Sequence, residues 1–181
     1  MGISQGDIDL FYKLHPALLQ YVNRRLNIFP KVKTAENLRL SGPENVNAVR
    51  IELWKRLDFI DEFISDNAKK YSKEEQLIVA SWKRAVHGKF YIFKHLKKYS
   101  VFLTESEPTK LYGVCSIITE LSEMFPYPPV YTEAVLIPFR QSIIYDGILY
   151  PHTVTFGRNF CFSLNEAYRE AKEKSGVIET L

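Results

Sequence analysis

Acid–base chemistry is the first possibility that the residue types raise. A histidine titrates near neutral pH and can give or take a proton, and a carboxylate with a raised pKa can do the same. A small enzyme would need such groups in one pocket between helices and sheet, with Arg140 or Arg158 to hold an anionic substrate. The residues that could serve as its acid or base are His87, His95, Asp146 and His152.

No motif selects among these groups. The four histidines lie far apart, and none has a Cys or a carboxylate at metal-ligand spacing, so we expect no metal site. The eight glycines form neither a phosphate-binding loop nor a dinucleotide fingerprint, and no GxSxG sequence marks a nucleophile. We therefore assign no catalytic residue and no cofactor, and the sequence favours a protein that is not an enzyme.

Asp146 also has a structural interpretation, because Gly147 follows it. An Asp-Gly pair between two β-favouring segments is typical of a two-residue type I′ hairpin. Residues 142–145 and 148–150 are such segments. The pair predicts a tight turn at Asp146 in preference to a catalytic carboxylate.

Positive charge is concentrated in one part of the chain. Residues 69–98 contain nine Lys or Arg and two Glu, whereas the remainder carries a net charge of −4 within an overall +3. Lysines interleaved with aromatic residues can follow a phosphate backbone and stack on bases, and they can equally contact an acidic protein. The candidate binding residues, here called the basic stretch, are Lys83, Arg84, Lys89, Lys94, His95, Lys97 and Lys98.

Three interpretations of the basic stretch stay open. It could be a solvated surface with a lysine-protected edge hairpin, a contact for an acidic protein, or a contact for nucleic acid. Side chains alternate along a strand, so Lys89, Tyr91 and Phe93 should share one face and Lys94 the other. By this reasoning the cations do not all point the same way.

A membrane partner is not expected. No apolar run approaches the roughly 20 residues needed to cross a bilayer. The first residues include Asp7 and Asp9 and lack the basic and then apolar pattern of a secretory signal. The expected location is the cytoplasm.

Helix signals fill residues 1–88. Apolar residues three or four apart predict an amphipathic helix over residues 7–28, which Pro16 should interrupt. Pro43 suits the first turn of a second helix, and Asp58 could cap a third. These signals predict a helical N-terminal half.

The last of these helices has the clearest start. Ser72 and Glu75 have the spacing of a capping box, in which each side chain binds the backbone of the other. The helix is predicted to run up to Gly88, with Leu77, Ile78, Trp82, Ala85 and Val86 on its apolar face.

From residue 89 to residue 157 the pattern changes to β-favouring residues with short turns. It predicts five or six strands, with an unbroken apolar run at residues 134–137 as a central strand and residues 153–156 as the last. Gly113 lies inside a predicted strand and marks a bulge or a close backbone contact. Ser163 and Glu166 form another capping box, which predicts a C-terminal helix over residues 163–175.

These segments predict one α+β domain over residues 1–181. A helical N-terminal half would pack against a small antiparallel sheet, barrel-like or curled, with a C-terminal helix added. Strands and helices do not alternate as they do in nucleotide-binding α/β sheets.

Several short runs resemble a bacterial protein family of unassigned function. The resemblance covers roughly residues 75–175, and it rests on the runs at residues 81–83, 88–92, 95–99, 101–103, 112–114, 136–139, 143–147 and 163–168. It implies a bacterial source and one natural unit. It implies no activity, cofactor or catalytic residue.

The sequence thus predicts a non-enzymatic cytoplasmic binding or regulatory module that contacts an acidic partner through the basic stretch. The alternatives are a small enzyme with a pocket between helices and sheet, and a nucleic-acid-binding protein.

Overall fold

The computed structural model describes residues 2–181, which form two compact units. The first, Gln5–Lys83, is helical, and the second, Arg84–Leu181 with residues 2–4, contains the strands. Helices and strands are therefore segregated along the chain, and the predicted α+β class is confirmed. A single domain over residues 1–181 stays a prediction.

The helical unit contains five helices, connected by short loops. They are α1 (Gln5–Leu26), α2 (Ala35–Leu40), α3 (Pro43–Lys55), α4 (Asp58–Asp66) and α5 (Lys73–Ser81). A short 3-10 turn, Trp82–Arg84, follows α5 in the chain. The fully buried side chains of this unit include Phe11, Leu14, Leu18, Leu38, Leu53, Ile60 and Trp82.

The capping box at the start of α5 is formed as predicted, but Asp58 does not cap α4: it is the first residue of that helix, and Leu57 is the N-cap. The Ser72 hydroxyl accepts the Glu75 N–H at 3.2 Å, and the Glu75 carboxylate accepts the Ser72 N–H at 2.9 Å. Pro43 is the first residue of α3. The short helix α2 was not predicted, although Thr34 caps it by accepting the Asn37 N–H at 3.1 Å.

The proline left two possibilities, a kink at His15 or a division into two helices; helix α1 continues through Pro16, so the division is wrong. A proline inside a helix costs about 3 kcal/mol because it removes one backbone hydrogen bond and crowds the preceding turn. Phe11 and Leu14 before it and Leu18 after it are all buried. Each such side chain contributes about 1.5–3 kcal/mol on burial, so the apolar stripe outweighs the cost of the proline.

Helix α5 ends at Ser81, well short of Gly88. The residues beyond the 3-10 turn pair with a later strand, beginning with Val86 opposite Leu136, and so they cannot continue the helix. Leu77, predicted on the apolar face, is 71% exposed.

The second unit is built on five strands and two helices. The strands are β1 (Val86–His95), β2 (Ser100–Thr104), β3 (Leu111–Cys115), β4 (Val130–Phe139) and β5 (Ser142–Pro151). A short helix, α6 (Leu121–Met124), lies between β3 and β4, and α7 (Arg158–Ser175) follows β5.

The strands form a closed barrel in the order β1-β2-β3-β5-β4. Four of the pairings are antiparallel, as predicted, but β3 and β5 pair in parallel, over only two residue pairs. Three hairpin-connected strands with β4 returning beside β1 make a Greek key. Five-stranded Greek-key barrels are the architecture of the oligonucleotide- and oligosaccharide-binding (OB) fold.

Asp146 and Gly147 do not form a hairpin, and that prediction is wrong. The turn lies at Arg140 and Gln141, and β5 runs without interruption past Asp146. Residues 146–148 oppose the single residue Val135, so the Asp-Gly pair forms a bulge. Gly147 has φ 95°, which a bulge can require as well as a turn, and Asp146 is 1% exposed, unlike the tip of a hairpin.

The C-terminal segment also differs from the prediction. Residues 153–156 form no strand, and α7 begins at Arg158, five residues before the predicted start. Ser163 therefore lies inside the helix, where its hydroxyl donates to the Asn159 carbonyl at 3.2 Å. The Phe160 ring in the first turn stacks on Phe156 at 4.8 Å, and this contact favours the earlier start.

The barrel has an apolar interior and a covered outer face. Inside, the Phe90 ring centroid lies 6.0 Å from that of Phe102 and 6.1 Å from that of Tyr112. Outside, α7 packs over β2 and β3, and the cluster it forms contains Val101, Leu103, Leu111, Leu164, Tyr168 and Ala171. The predicted central strand is confirmed, because β4 pairs with both β1 and β5 and residues 134–137 are buried.

None of the helices formed by residues 2–181 combines the length and the apolar character that crossing a membrane requires.

Gly113 makes the close contact that the sequence predicted. A Cβ atom at this position would lie 2.9 Å from the Tyr99 ring. We expect Gly113→Ala to lower the free energy of unfolding by about 1–3 kcal/mol, because the ring must shift. Urea unfolding followed by far-UV circular dichroism tests this. Gly88→Ala is the control, since its nearest neighbour, the Phe90 ring, lies at an ordinary 3.6 Å; equal losses in the two variants would contradict the prediction.

His15 makes the helical unit sensitive to pH. Its ring stacks on Phe11 at 5.1 Å, its Nε2 atom is buried without a hydrogen-bond partner, and burial, helped by the charge of Arg50, lowers its pKa to about 3. The unfolded chain binds a proton at His15 near pH 6.5, whereas the folded chain does not. Stability should therefore fall as the pH drops below 6.5, by about 2 kcal/mol at pH 5.

Urea unfolding followed by tryptophan fluorescence measures this dependence, since Trp54 and Trp82 both lie in the helical unit. We expect a smaller loss between pH 7.5 and pH 5 in His15→Phe and an unchanged loss in the control His152→Phe. The same loss in wild type and His15→Phe would remove His15 as the cause.

Candidate functional site

The basic stretch does not form one patch. Lys89 lies in the first half of β1, and Lys97 and Lys98 lie in the turn after it, as predicted. At about 3.3 Å per residue, Lys89 is roughly 20 Å from the end of the strand. Lys83 belongs to the helical unit and Arg84 to the barrel unit.

Two of the cations already have carboxylate partners. Lys83 Nζ lies 2.6 Å from the Asp61 carboxylate, and Lys98 pairs with Glu179. Hydrogen bonding and charge within the second pair raise the pKa of Lys98 and lower that of Glu179. Exposed pairs such as these contribute little stability, but they reduce the charge available to a partner.

His95 is held at both ring nitrogens. Nε2 lies 2.9 Å from the Phe125 carbonyl oxygen, and Nδ1 lies 2.7 Å from the Ser100 hydroxyl. A carbonyl oxygen only accepts, so Nε2 carries the proton and Nδ1 accepts from Ser100. The side chain therefore fastens β1 to the segment after α6.

Lys94 lies on the same face as Lys89, which corrects the expected alternation. The register of β1 against β2 shifts between Ile92 and Lys94, because Phe93 is an extra residue. Ile92 pairs with Phe102 in the interior, but Lys94 pairs with Val101, which lies under α7 on the outer face. The bulge brings Phe93 and Lys94 to the outside together.

The side chains of three cations of the basic stretch form no ion pair and no hydrogen bond in the part of the chain that the structure describes. These three exposed residues are Arg84, Lys89 and Lys97. With Lys94 they make the outer side of β1 and its turn the least neutralised part of the stretch. This outer β1 surface is defined here as Lys89, Lys94 and Lys97.

A cleft of about 380 Å³ opens at one end of the barrel, beside Lys89. Phe90 and Tyr112 contribute to its lining, which also contains His87 and the charged residues Lys89, Glu105, Glu107 and Lys110. Of the acid–base candidates, the cleft contains only His87. It brings together two lysines and two glutamates rather than a catalytic set.

The other acid–base candidates lie elsewhere in the barrel unit. Asp146 is in the β5 bulge, Arg140 is in the β4–β5 turn with φ 54°, and Arg158 begins α7. His152 Nε2 lies 3.2 Å from the Glu133 carboxylate. Residues 2–181 contain no group of three His, Cys, Asp or Glu side chains that could hold a metal ion.

The structure reveals an aromatic cluster that the sequence analysis missed. Tyr91 lies 5.0 Å from Tyr131, 5.9 Å from Phe156 and 5.4 Å from Phe160, measured between ring centroids. The Tyr131 hydroxyl donates to Glu105 at 2.6 Å, and this bond is the main cause that raises the pKa of Tyr131 to about 12. The sequence did not indicate this cluster because it predicted a strand over residues 153–156. A strand would have placed Phe156 in the sheet rather than against Tyr91 and Phe160.

Tyr168 and Lys172 were also missed as candidate residues. They are four apart on α7 and therefore share one helix face, which the sequence could have indicated. They lie beside Lys94 of β1, whose Nζ is 3.9 Å from the centre of the Tyr168 ring. That contact depends on the β1 bulge.

Comparison of the chain with protein families, with curated proteins and with solved structures finds no match.

We expect His95→Ala to lower the free energy of unfolding by about 1–3 kcal/mol, because it removes the partner of Ser100, which is 5% exposed, and of the Phe125 carbonyl. Far-UV circular dichroism in urea measures the loss. The exposed neighbour Lys97→Ala is the control and should change stability by less than about 0.5 kcal/mol. Unchanged stability in His95→Ala would leave the histidine available for another role.

Proposed function

We propose that the protein is a non-enzymatic binding or regulatory module that contacts an acidic partner through the outer β1 surface. The observation that carries the proposal is the β1 bulge, which brings Lys94 to the same side as Lys89. Lys97 adds an exposed cation in the turn that follows Lys94. The proposal includes the bacterial source and the cytoplasmic location expected from the sequence.

The electrostatics of this surface favour association. Lys97 is exposed and has no carboxylate partner in the described chain, and Lys89 is exposed and forms no ion pair, although Glu133 lies opposite it on β4. Such cations speed the encounter with an acidic surface and exclude basic ones, while adding little to the stability of the free protein. Their charge is therefore available to a partner.

Two observations favour an acidic protein over nucleic acid. In OB folds, oligonucleotides bind the outer face of strands 2 and 3. The comparison with this barrel is one of fold alone. Here α7 covers that face through Leu164, Tyr168 and Ala171. Tyr91, Tyr131 and Phe156 near Lys89 pack against one another and are only partly exposed, so they offer little open ring surface on which bases could stack.

The small-enzyme alternative gains no support from the described cleft, because His87 is the one acid–base candidate in its lining.

A pull-down with a matched charge control tests the proposal. The tagged protein is used to capture partners from its native lysate, with and without nuclease, beside the triple variant Lys89→Glu, Lys94→Glu, Lys97→Glu. The control is Lys31→Glu, Lys69→Glu, Lys73→Glu, three exposed lysines of the helical unit whose reversal changes the net charge equally. Lys98 is left unchanged, because a glutamate there would face Glu179.

We expect the wild-type protein to capture an acidic protein in equal amounts with and without nuclease. The amount captured should fall at least about tenfold in the β1 variant and not in the control; a tenfold change corresponds to about 1.4 kcal/mol. The purified partner should then bind directly, and more weakly as salt rises. Equal capture by both variants would exclude this surface. Captured material that nuclease removes would instead support nucleic-acid binding.

A further inference from the structure

Two lysines from different elements converge on one tyrosine of α7. Lys94 Nζ, from β1, lies 3.9 Å from the centre of the Tyr168 ring, and Lys172 Nζ, one helical turn further along α7, lies 5.9 Å from it. Phe93 stacks on the same ring at 4.8 Å. Tyr168 is only 8% exposed, so its position is fixed by packing.

The charge of this cluster is not compensated within residues 2–181. Neither Lys94 nor Lys172 forms an ion pair, and the carboxylate of Glu179 in the same region is already paired with Lys98. Burial alone would raise the pKa of the Tyr168 hydroxyl, but hydrogen bonds and charge from Lys94 and Lys172 outweigh burial and lower it. The Tyr168 ring therefore has one ammonium group near it from β1 and another from α7, and its hydroxyl is in a locally positive environment.

We infer that Lys94, Tyr168 and Lys172 form a binding site for a phosphate monoester group. The inference rests on the proposed function, since Lys94 belongs to the outer β1 surface. It specifies that the acidic partner carries a phosphorylated side chain where it contacts this site.

The chemistry of the three groups fits a dianion better than a carboxylate. A phosphate monoester carries close to two negative charges near neutral pH and has three acceptor oxygens. It can therefore neutralise both ammonium groups and accept a hydrogen bond from the Tyr168 hydroxyl at once. A carboxylate offers one charge and two oxygens, and it would leave one of the cations uncompensated.

The Tyr168 hydroxyl supplies a direct readout. A bound dianion cancels the positive charge that lowers its pKa, so binding should raise that pKa and move the tyrosine ¹³Cζ resonance. The purified protein, labelled with [¹³Cζ]tyrosine, is titrated with inorganic phosphate, with an acidic peptide that carries one phosphoserine, and with the same peptide unphosphorylated. The Tyr168→Phe variant identifies the resonance.

We expect a saturable change at Tyr168 with the phosphopeptide, and binding at least about tenfold weaker in Lys94→Gln and in Lys172→Gln, each of which loses one charge-assisted hydrogen bond. Lys174→Gln, two residues from Lys172 in the last turn of α7, is the control and should bind as the wild type does. Inorganic phosphate binding as tightly as the phosphopeptide would support the site but identify free phosphate as its ligand.

Three results would overturn the inference. They are no change at Tyr168, an equal change with sodium chloride at matched ionic strength, and binding that survives the double variant Lys94→Gln, Lys172→Gln. Circular dichroism spectra confirm that each variant is folded. Because no partner protein is present, loss of phosphate binding is distinguishable from failure of the pull-down, which tests the acidic partner itself.

Discussion

The arrangement of the outer surface depends on one extra residue in β1. Because Phe93 is not matched by a residue of β2, Phe93 and Lys94 both face outward, where they contact Tyr168. The same shift sends His95 to the side of Ser100, where its two ring nitrogens are occupied. A regular strand would have exchanged the positions of Lys94 and His95. The bulge thus separates a lysine that contacts α7 from a histidine that fastens the strand.

Helix α7 covers one side of the outer face of the barrel. The alternating residues Val101 and Leu103 of β2 face outward with Leu111 of β3, and they are apolar. The helix buries them with its own Leu164 and Ala171, so this side of the barrel is part of the core. The charged surface is consequently displaced to β1 and to the edge of the helix. The outer face of β2 and β3 is therefore covered by α7 rather than open to solvent.

Features set by a few neighbouring residues could be predicted from the sequence. The capping box at Ser72 and the start of α3 at Pro43 have local causes, and both are formed. The glycine at position 113 indicated a close contact, but not that the Tyr99 ring makes it. The segregation of helices from strands was also evident. The two bulges were not, because a bulge depends on how a distant strand pairs. Asp146 and Gly147 fit a turn and a bulge equally well until the register of β4 is known.

The candidate site was predictable in residue type but not in geometry. Charge counts located the basic stretch, yet only the folded chain shows that Lys83 and Lys98 are paired. It also adds Tyr168 and Lys172 from a helix that the sequence treated separately. Helical spacing relates those two residues to each other, but nothing local relates them to Lys94.

The strand order has a consequence for synthesis. Val86 of β1 pairs with Leu136 of β4, about fifty residues later, so one edge of β1 stays without its partner while the intervening chain emerges from the ribosome. An unpaired apolar edge invites association between nascent chains, and lysines on a strand discourage it. In the finished barrel no such edge remains. Lys89 and Lys94 would then discourage association between nascent chains until β1 has paired with β4.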